Sequence, residues 1–101
     1  FQFDNIGLGL GGLGNKGAVA FRFKLFECTF VCVNAHLTAG REKNHKRNRN
    51  YHDIVRNLTF FDHSLKRETV FDSDLIFFMG DLNYRLDYPI EEHKKVIQMI
   101  N

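Results

Sequence analysis

Residues 18–26, Ala-Val-Ala-Phe-Arg-Phe-Lys-Leu-Phe, alternate so that Val19, Phe21, Phe23 and Leu25 share one side and Arg22 and Lys24 the other. A period of two is the pattern of a β-strand. One residue later a second extended run, Cys28 to Leu37, is apolar on both sides until Asn34. Such a run belongs inside a sheet, covered on both faces. The single intervening residue, Glu27, predicts a tight hairpin. A chain with this pair must build a sheet and cover it.

The remaining elements follow from the same reading. Arg41 to Leu58 is expected to be a helix, because Tyr51, Ile54, Val55 and Leu58 recur at i, i+3, i+4 and i+7. Residues 59–73 read as polar and irregular, and Asp74-Leu-Ile-Phe-Phe-Met79 as a short buried strand. Pro89 opens a last helix, with Glu91 and Glu92 in the first turn, where the dipole favours acidic side chains. The order β-β-α-β-α around a buried sheet predicts an α/β sandwich.

The run Gly7-Leu-Gly-Leu-Gly-Gly-Leu-Gly-Asn-Lys-Gly17 contains G-x-G-x-x-G twice over. That fingerprint means nucleotide binding only between a strand and a following helix. Here the glycines lead into a strand, and no Gly-Lys-Ser/Thr is present. Both nucleotide readings fail. Either a plain glycine turn remains, or a loop whose backbone approaches a ligand closely, followed by a donor amide, Asn15, and a cation, Lys16.

Composition sets wide bounds. At 101 residues and 44% hydrophobic the sequence fits one small globular unit, and it reads as an internal piece of a larger domain. No apolar run approaches the roughly 18 residues of a membrane span, and no signal peptide is visible. Cys28 and Cys32, four apart on a strand, have Cα atoms about 13 Å apart, too far for a disulfide. They read as reduced core residues of an intracellular protein. Asn57-Leu-Thr59 matches a glycosylation sequon, expected to go unused in a cytosolic chain. Net charge is only +2, but Arg41 to Arg49 holds five Lys/Arg against one Glu. That stretch is either a solvated helix face or a patch attracted to anionic lipid.

The chemistry sits where two strands end. One gives Asn34-Ala-His36 and the other Gly80-Asp-Leu-Asn83, each with polar residues at i, i+2 on one side of an extended backbone. Ends of buried strands are where α/β folds place their sites. If the two ends are neighbours, His36, Asn34, Asp81 and Asn83 converge. An Asp to orient or deprotonate water, Asn amides for phosphoryl oxygens and a His to neutralise charge suit metal-assisted phosphoester hydrolysis. Taken singly, His36 is a satisfied core histidine and Asp81 a turn cap.

Four blocks in order extend this pattern: Gly14-Asn-Lys-Gly-Ala-Val19, Asn34-Ala-His-Leu-Thr-Ala-Gly40, Arg47-Asn48 with Asn50-Tyr51 and Asp53-Ile54, and Phe78-Met-Gly-Asp-Leu-Asn-Tyr-Arg85. Together they resemble the inositol polyphosphate 5-phosphatases, leaning towards the SHIP and synaptojanin branches. The resemblance implies the central part of a four-layered, deoxyribonuclease I-like α/β sandwich and Mg²⁺-dependent removal of the 5-phosphate from phosphoinositides or inositol polyphosphates. It implies Asp81 as the water-orienting base and possible metal ligand, Asn83 as a phosphate ligand, and His36 at the scissile phosphate or leaving group. Asn34 supports His36, and Asn15 and Lys16 face the substrate's phosphates. Arg85 joins the substrate-binding set, although with Tyr84 it fits packing and ion pairing better.

Phe78 stands where that family usually has Trp. The family's magnesium-holding glutamate, its Pro-x-Trp-x-Asp-Arg block and its final Asp-His pair are not among these residues, so the 101 residues alone are expected to be inactive. The expected partners are the phosphorylated substrate and, peripherally, an anionic membrane, in a cytoplasmic location and without nucleic acid. A superfamily nuclease and a non-catalytic anion-binding module are the alternatives.

Overall fold

A computed structural model describes residues 1–8, 15–86 and 90–100, with 90–93 and 96 as backbone only. In chain order the elements are β1 (Gln2–Leu8), β2 (Lys16–Leu25), β3 (Cys28–His36), α1 (Asn44–Asn57), β4 (Phe60–Phe61), β5 (Arg67–Glu68), a 3-10 turn at Val70–Asp72, β6 (Leu75–Asp81) and α2 (Ile90–Ile100). The main sheet has the order β1-β2-β3-β6, and β4 and β5 form a small separate ribbon.

β2 and β3 make the expected hairpin, with Ala20 opposite Val33 and Leu25 opposite Cys28. Phe26 and Glu27 both have positive φ, 50° and 66°. Two such residues give the primed turn whose twist suits a hairpin. β1 pairs antiparallel with β2, Leu8 opposite Lys16; the sequence reading did not anticipate this strand. The glycine positions 9–14, and Pro89 as the start of the last helix, lie outside the described residues.

α1 covers one face of the sheet. Ile54, Val55 and Leu58 join Ala18, Ala20, Val31, Val33, Ala35 and Leu37 in a single buried cluster. Three of those sheet positions are alanine, and their small side chains let the helix lie close. Burying a side chain the size of Ile54 or Leu58 stabilises the fold by about 1.5–3 kcal/mol. Phe60 and Val70 are buried in the same cluster, so residues 59–73 are more ordered than their polarity suggests. Asp62 holds the β4–β5 turn by accepting from the backbone N–H of Ser64 and Lys66. Thr69 and Asp72 cap the 3-10 turn reciprocally.

The opposite face is aromatic. Phe1, Phe21, Phe23, Phe30 and Phe77 stack in sequence with ring centroids 5.1–6.5 Å apart. Cys28 and Cys32, both free thiols, are half-buried and sit outside the buried cluster. They occupy alternate positions of β3 with Phe30, on the face away from α1.

Three expectations need correction. The run 74–79 is not buried: β6 is the outer strand of the sheet, with Phe77 47% exposed, because among the described residues no layer covers its aromatic side. The helix begins at Asn44 rather than Arg41. Gly40 and Glu42 take positive φ, 112° and 62°, which keeps residues 38–43 in a loop wrapped around the helix start. Arg47, counted in the exposed basic stretch, is fully buried. It lies four residues before Tyr51 and seven before Ile54, on the stripe that faces the sheet.

Candidate active site

The ladder of the main sheet assembles the polar end of the aromatic face rung by rung. Gly7 pairs with Gly17, Gly17 with His36, and His36 with Asp81. The next rung on this face carries Asn5, Val19, Asn34 and Met79. Two glycines beside His36 contribute no side chains, so a cleft of about 430 Å³ opens there, lined by Asn5, Asn15, Lys16, Asn34 and His36 among others.

His36 Nε2 lies 3.6 Å from Asp81 Oδ2 and 3.3 Å from Lys16 Nζ. With the proton on Nδ1, Nε2 accepts from the ammonium. Asp81 then acts across a slightly longer gap as a counter-charge. Both His36 and Asp81 remain open to solvent, 47% and 67% exposed at the side chain, as groups that meet a substrate must.

Gly80 makes the close approach of the two strand ends possible. Its φ is +125°, and a Cβ there would clash with Ala35 O and meet Asn34 Oδ1 at 2.6 Å. The Asn34 side chain therefore packs directly over the backbone that precedes Asp81. Leu37 N donates to Asp81 O at 3.1 Å, extending the β3–β6 ladder by one bond.

The sequence-predicted residues divide into two groups. Asn15, Lys16, Asn34 and His36 line the cleft, and Asp81 faces His36. Asn83 and Arg85 lie just beyond Asp81 but are engaged with the chain itself. Asn83, in the left-handed region at φ 59°, donates Nδ2–H to Leu37 O at 2.9 Å. Arg85 donates Nε–H to Asn83 O at 3.0 Å, and its own carbonyl accepts from Asn44 Nδ2 at 2.7 Å. Sequence reasoning missed Asn5, which enters the cleft through the unanticipated β1, because Gln-Phe-Asp-Asn-Ile-Gly-Leu shows no regular alternation of apolar and polar residues.

The donor set suits one side of a hard-cation site. Among the described residues no three His, Cys, Asp or Glu side chains cluster as metal ligands. Asp81 supplies one carboxylate, with the His36 ring 3.6 Å away. Mg²⁺ is usually held by one or two carboxylates, with water and substrate phosphates completing its shell, and Asp81 fits that pattern as a single ligand.

All 101 residues match the family described as Endonuclease/Exonuclease/phosphatase family 2. The chain belongs to that family. Among family relatives, phosphatidylinositol 3,4,5-trisphosphate 5-phosphatase 2A of Danio rerio is 50% identical over 84 residues, 79% of this chain. Synaptojanin-2 of Rattus norvegicus is 39% identical over 90 residues, 88% of this chain. The chain spans 6% of the length of each. The solved inositol polyphosphate 5-phosphatase domain of SPsynaptojanin, in complex with inositol (1,4)-bisphosphate and calcium ion, superposes with a TM-score of 0.71 at 31% identity. That likeness covers 97% of this chain and 28% of the solved one. This member of the endonuclease/exonuclease/phosphatase family thus has the mixed α/β architecture of the deoxyribonuclease I-like fold, with α1 covering one face of the four-stranded sheet.

Proposed function

We propose that these residues form the central part of the catalytic domain of a phosphoinositide or inositol polyphosphate 5-phosphatase, which removes the 5-phosphate by Mg²⁺-dependent hydrolysis. The observation that carries the reading is the convergence of Lys16, His36 and Asp81 at the polar end of an open cleft. The relatives named as phosphatidylinositol 3,4,5-trisphosphate 5-phosphatases and the inositol (1,4)-bisphosphate in the SPsynaptojanin complex support the substrate class.

In this reading Asp81 orients the attacking water and takes its proton. Lys16 binds the substrate's phosphates with its charge, while His36 stabilises the charge that builds on the scissile phosphoryl oxygens and assists the leaving oxygen. Asn15 and Asn34 supply neutral donors to the phosphates. Asn83 and Arg85 shape the loop beside Asp81, since their hydrogen-bonding groups are directed at Leu37 and at each other. Asp81 would hold Mg²⁺, which supplies Lewis-acid neutralisation of the phosphate when bound.

The exposed cations Arg41, Lys43, Lys46 and Arg49 near the start of α1 favour a peripheral, cytoplasmic encounter with anionic membrane, each worth about 1 kcal/mol near such a surface. Phosphate release by the intact protein from short-chain phosphoinositides, with and without Mg²⁺, tests the reading against cleavage of duplex DNA. Mg²⁺-dependent release with no DNA cleavage is expected; the reverse would assign a nuclease instead.

A further inference from the structure

Arg47 is the most unusual buried group in the chain. Its side chain is fully buried, yet among the described residues no carboxylate pairs with it. Its fork is satisfied by neutral oxygens alone. Nη1 donates to Thr38 O at 2.9 Å and Gly40 O at 2.7 Å, while Nε and Nη2 both donate to Asn44 Oδ1 at 3.1 and 2.6 Å. The guanidinium also lies over the Tyr84 ring, 5.7 Å from its centroid.

A buried, unpaired cation is a costly way to fill space, and apolar residues of similar volume are often as stable or more so. What Arg47 does that an apolar residue would not is join two loops. Residues 38–40 begin two positions after His36, and Arg47 holds them directly. Residues 83–85 follow Asp81, and Arg47 reaches them through Asn44, whose Nδ2 donates to Arg85 O and whose Oδ1 accepts from Arg85 N at 3.3 Å. The same helix adds two more ties. Tyr84 Oη donates to Asn48 Oδ1 at 2.6 Å, and Asn50 Oδ1 accepts from Thr38 N and Oγ1.

We propose that Arg47, acting through Asn44, is a positioning residue that sets the separation of His36 and Asp81 by clamping the loops that leave β3 and β6. The inference rests on the 5-phosphatase reading above. It explains why a rigid guanidinium stands here: only a planar fork reaches two carbonyls on one side and an amide oxygen on the other, whereas a lysine ammonium is a single point of charge. Small errors in the placement of reacting groups can cost about 10²-fold in rate.

The test is steady-state phosphate release by the intact protein carrying Arg47→Lys, Asn44→Ala or Asp81→Asn, with thermal melting of each. Arg47→Lys is expected to lower kcat about 10- to 100-fold with KM changed less than twofold. Asn44→Ala keeps the Arg47 bonds to Thr38 and Gly40 but releases Arg85, and is expected to lower kcat several-fold while the melting temperature stays near wild type. If Arg47→Lys fails to fold, Asn44→Ala alone decides, and wild-type kcat in that variant overturns the proposal. Loss of activity in Asp81→Asn together with unchanged kcat in both clamp variants removes the positioning role and leaves the phosphatase reading standing. Full activity in Asp81→Asn removes that reading, and the inference with it.

Discussion

His36 and Asp81 occupy one rung of the parallel β3–β6 ladder, with Nε2 3.6 Å from Oδ2. Their meeting is a matter of register. A slip of one residue would turn Asp81 to the helix side of the sheet, because successive side chains alternate between faces. The register is pinned at the far end of the strands, where Asp74 Oδ2 accepts from Thr29 N at 2.7 Å and Asp74 N donates to Thr29 O at 2.9 Å.

Replacing Asp74 by Ala removes that charge-assisted bond and leaves the Thr29 N–H without its acceptor. The bond is exposed and water takes up the freed N–H, so the expected cost is about 0.5–1.5 kcal/mol, read as a lower denaturation midpoint of the intact protein. A variant as stable as wild type would show that the pairing farther along β3 and β6 holds register alone.

Gly80→Ala is expected to be worse. The new Cβ meets the Ala35 carbonyl and the Asn34 side chain, and φ +125° disfavours any L side chain. Strain of this kind costs about 1–3 kcal/mol before the clash is counted. Thermal melting checks the stability, and a parallel fall in phosphate release is expected because Asp81 is the next residue.

Asp81→Ala should reduce kcat by about 10²–10⁴-fold, the range for a lost general base, with the fold intact because the side chain is mostly exposed. Lys16→Ala should act chiefly on KM, since its ammonium offers charge to phosphate from the cleft wall. Near-normal kcat in the Asp81 variant would mean that another residue activates the water.

Asp62 gives a pH signature away from the cleft. The backbone N–H of Lys66, joined by that of Ser64 and by the charges of His63 and Lys66, holds its carboxyl below the usual value against a smaller desolvation effect. A lowered folded-state pKa contributes stability above the unfolded value and loses it as pH falls through the folded one. Asp62→Asn should therefore melt lower than wild type near neutrality, and the gap should close in acid. A gap independent of pH would show that the carboxylate charge contributes nothing to the turn.

The 101-residue chain alone is expected to release no phosphate from a short-chain phosphoinositide in excess Mg²⁺. Asp81, beside His36, is the one carboxylate at the described site, and the open face of Phe21, Phe30 and Phe77 favours self-association. Turnover comparable to that of the intact protein would show that these residues hold a complete site.

Local pattern was enough for the β2–β3 hairpin, the apolar stripe of α1 and the polar pairs that end β3 and β6. Each is a property of residues within a few positions of one another, and strand and helix periods report such neighbours directly. Strand β1 escaped because its polar and small residues carry little apolar signal until Gly7 and Asn5 are seen against Gly17 and Val19. Which side of the sheet the helix covers was equally invisible. The larger apolar residues Val19, Phe21 and Phe23 point away from α1, while Ala18 and Ala20 lie beneath it, because close approach of a helix is set by small side chains rather than hydrophobic ones. Arg47 read as one more surface cation, and only the fold reveals the carbonyls of Thr38 and Gly40 that make its burial tolerable. Sequence alone determined which residues have the right chemistry. The register of β3 against β6 decided which of them meet, because it depends on pairing between residues far apart in the chain.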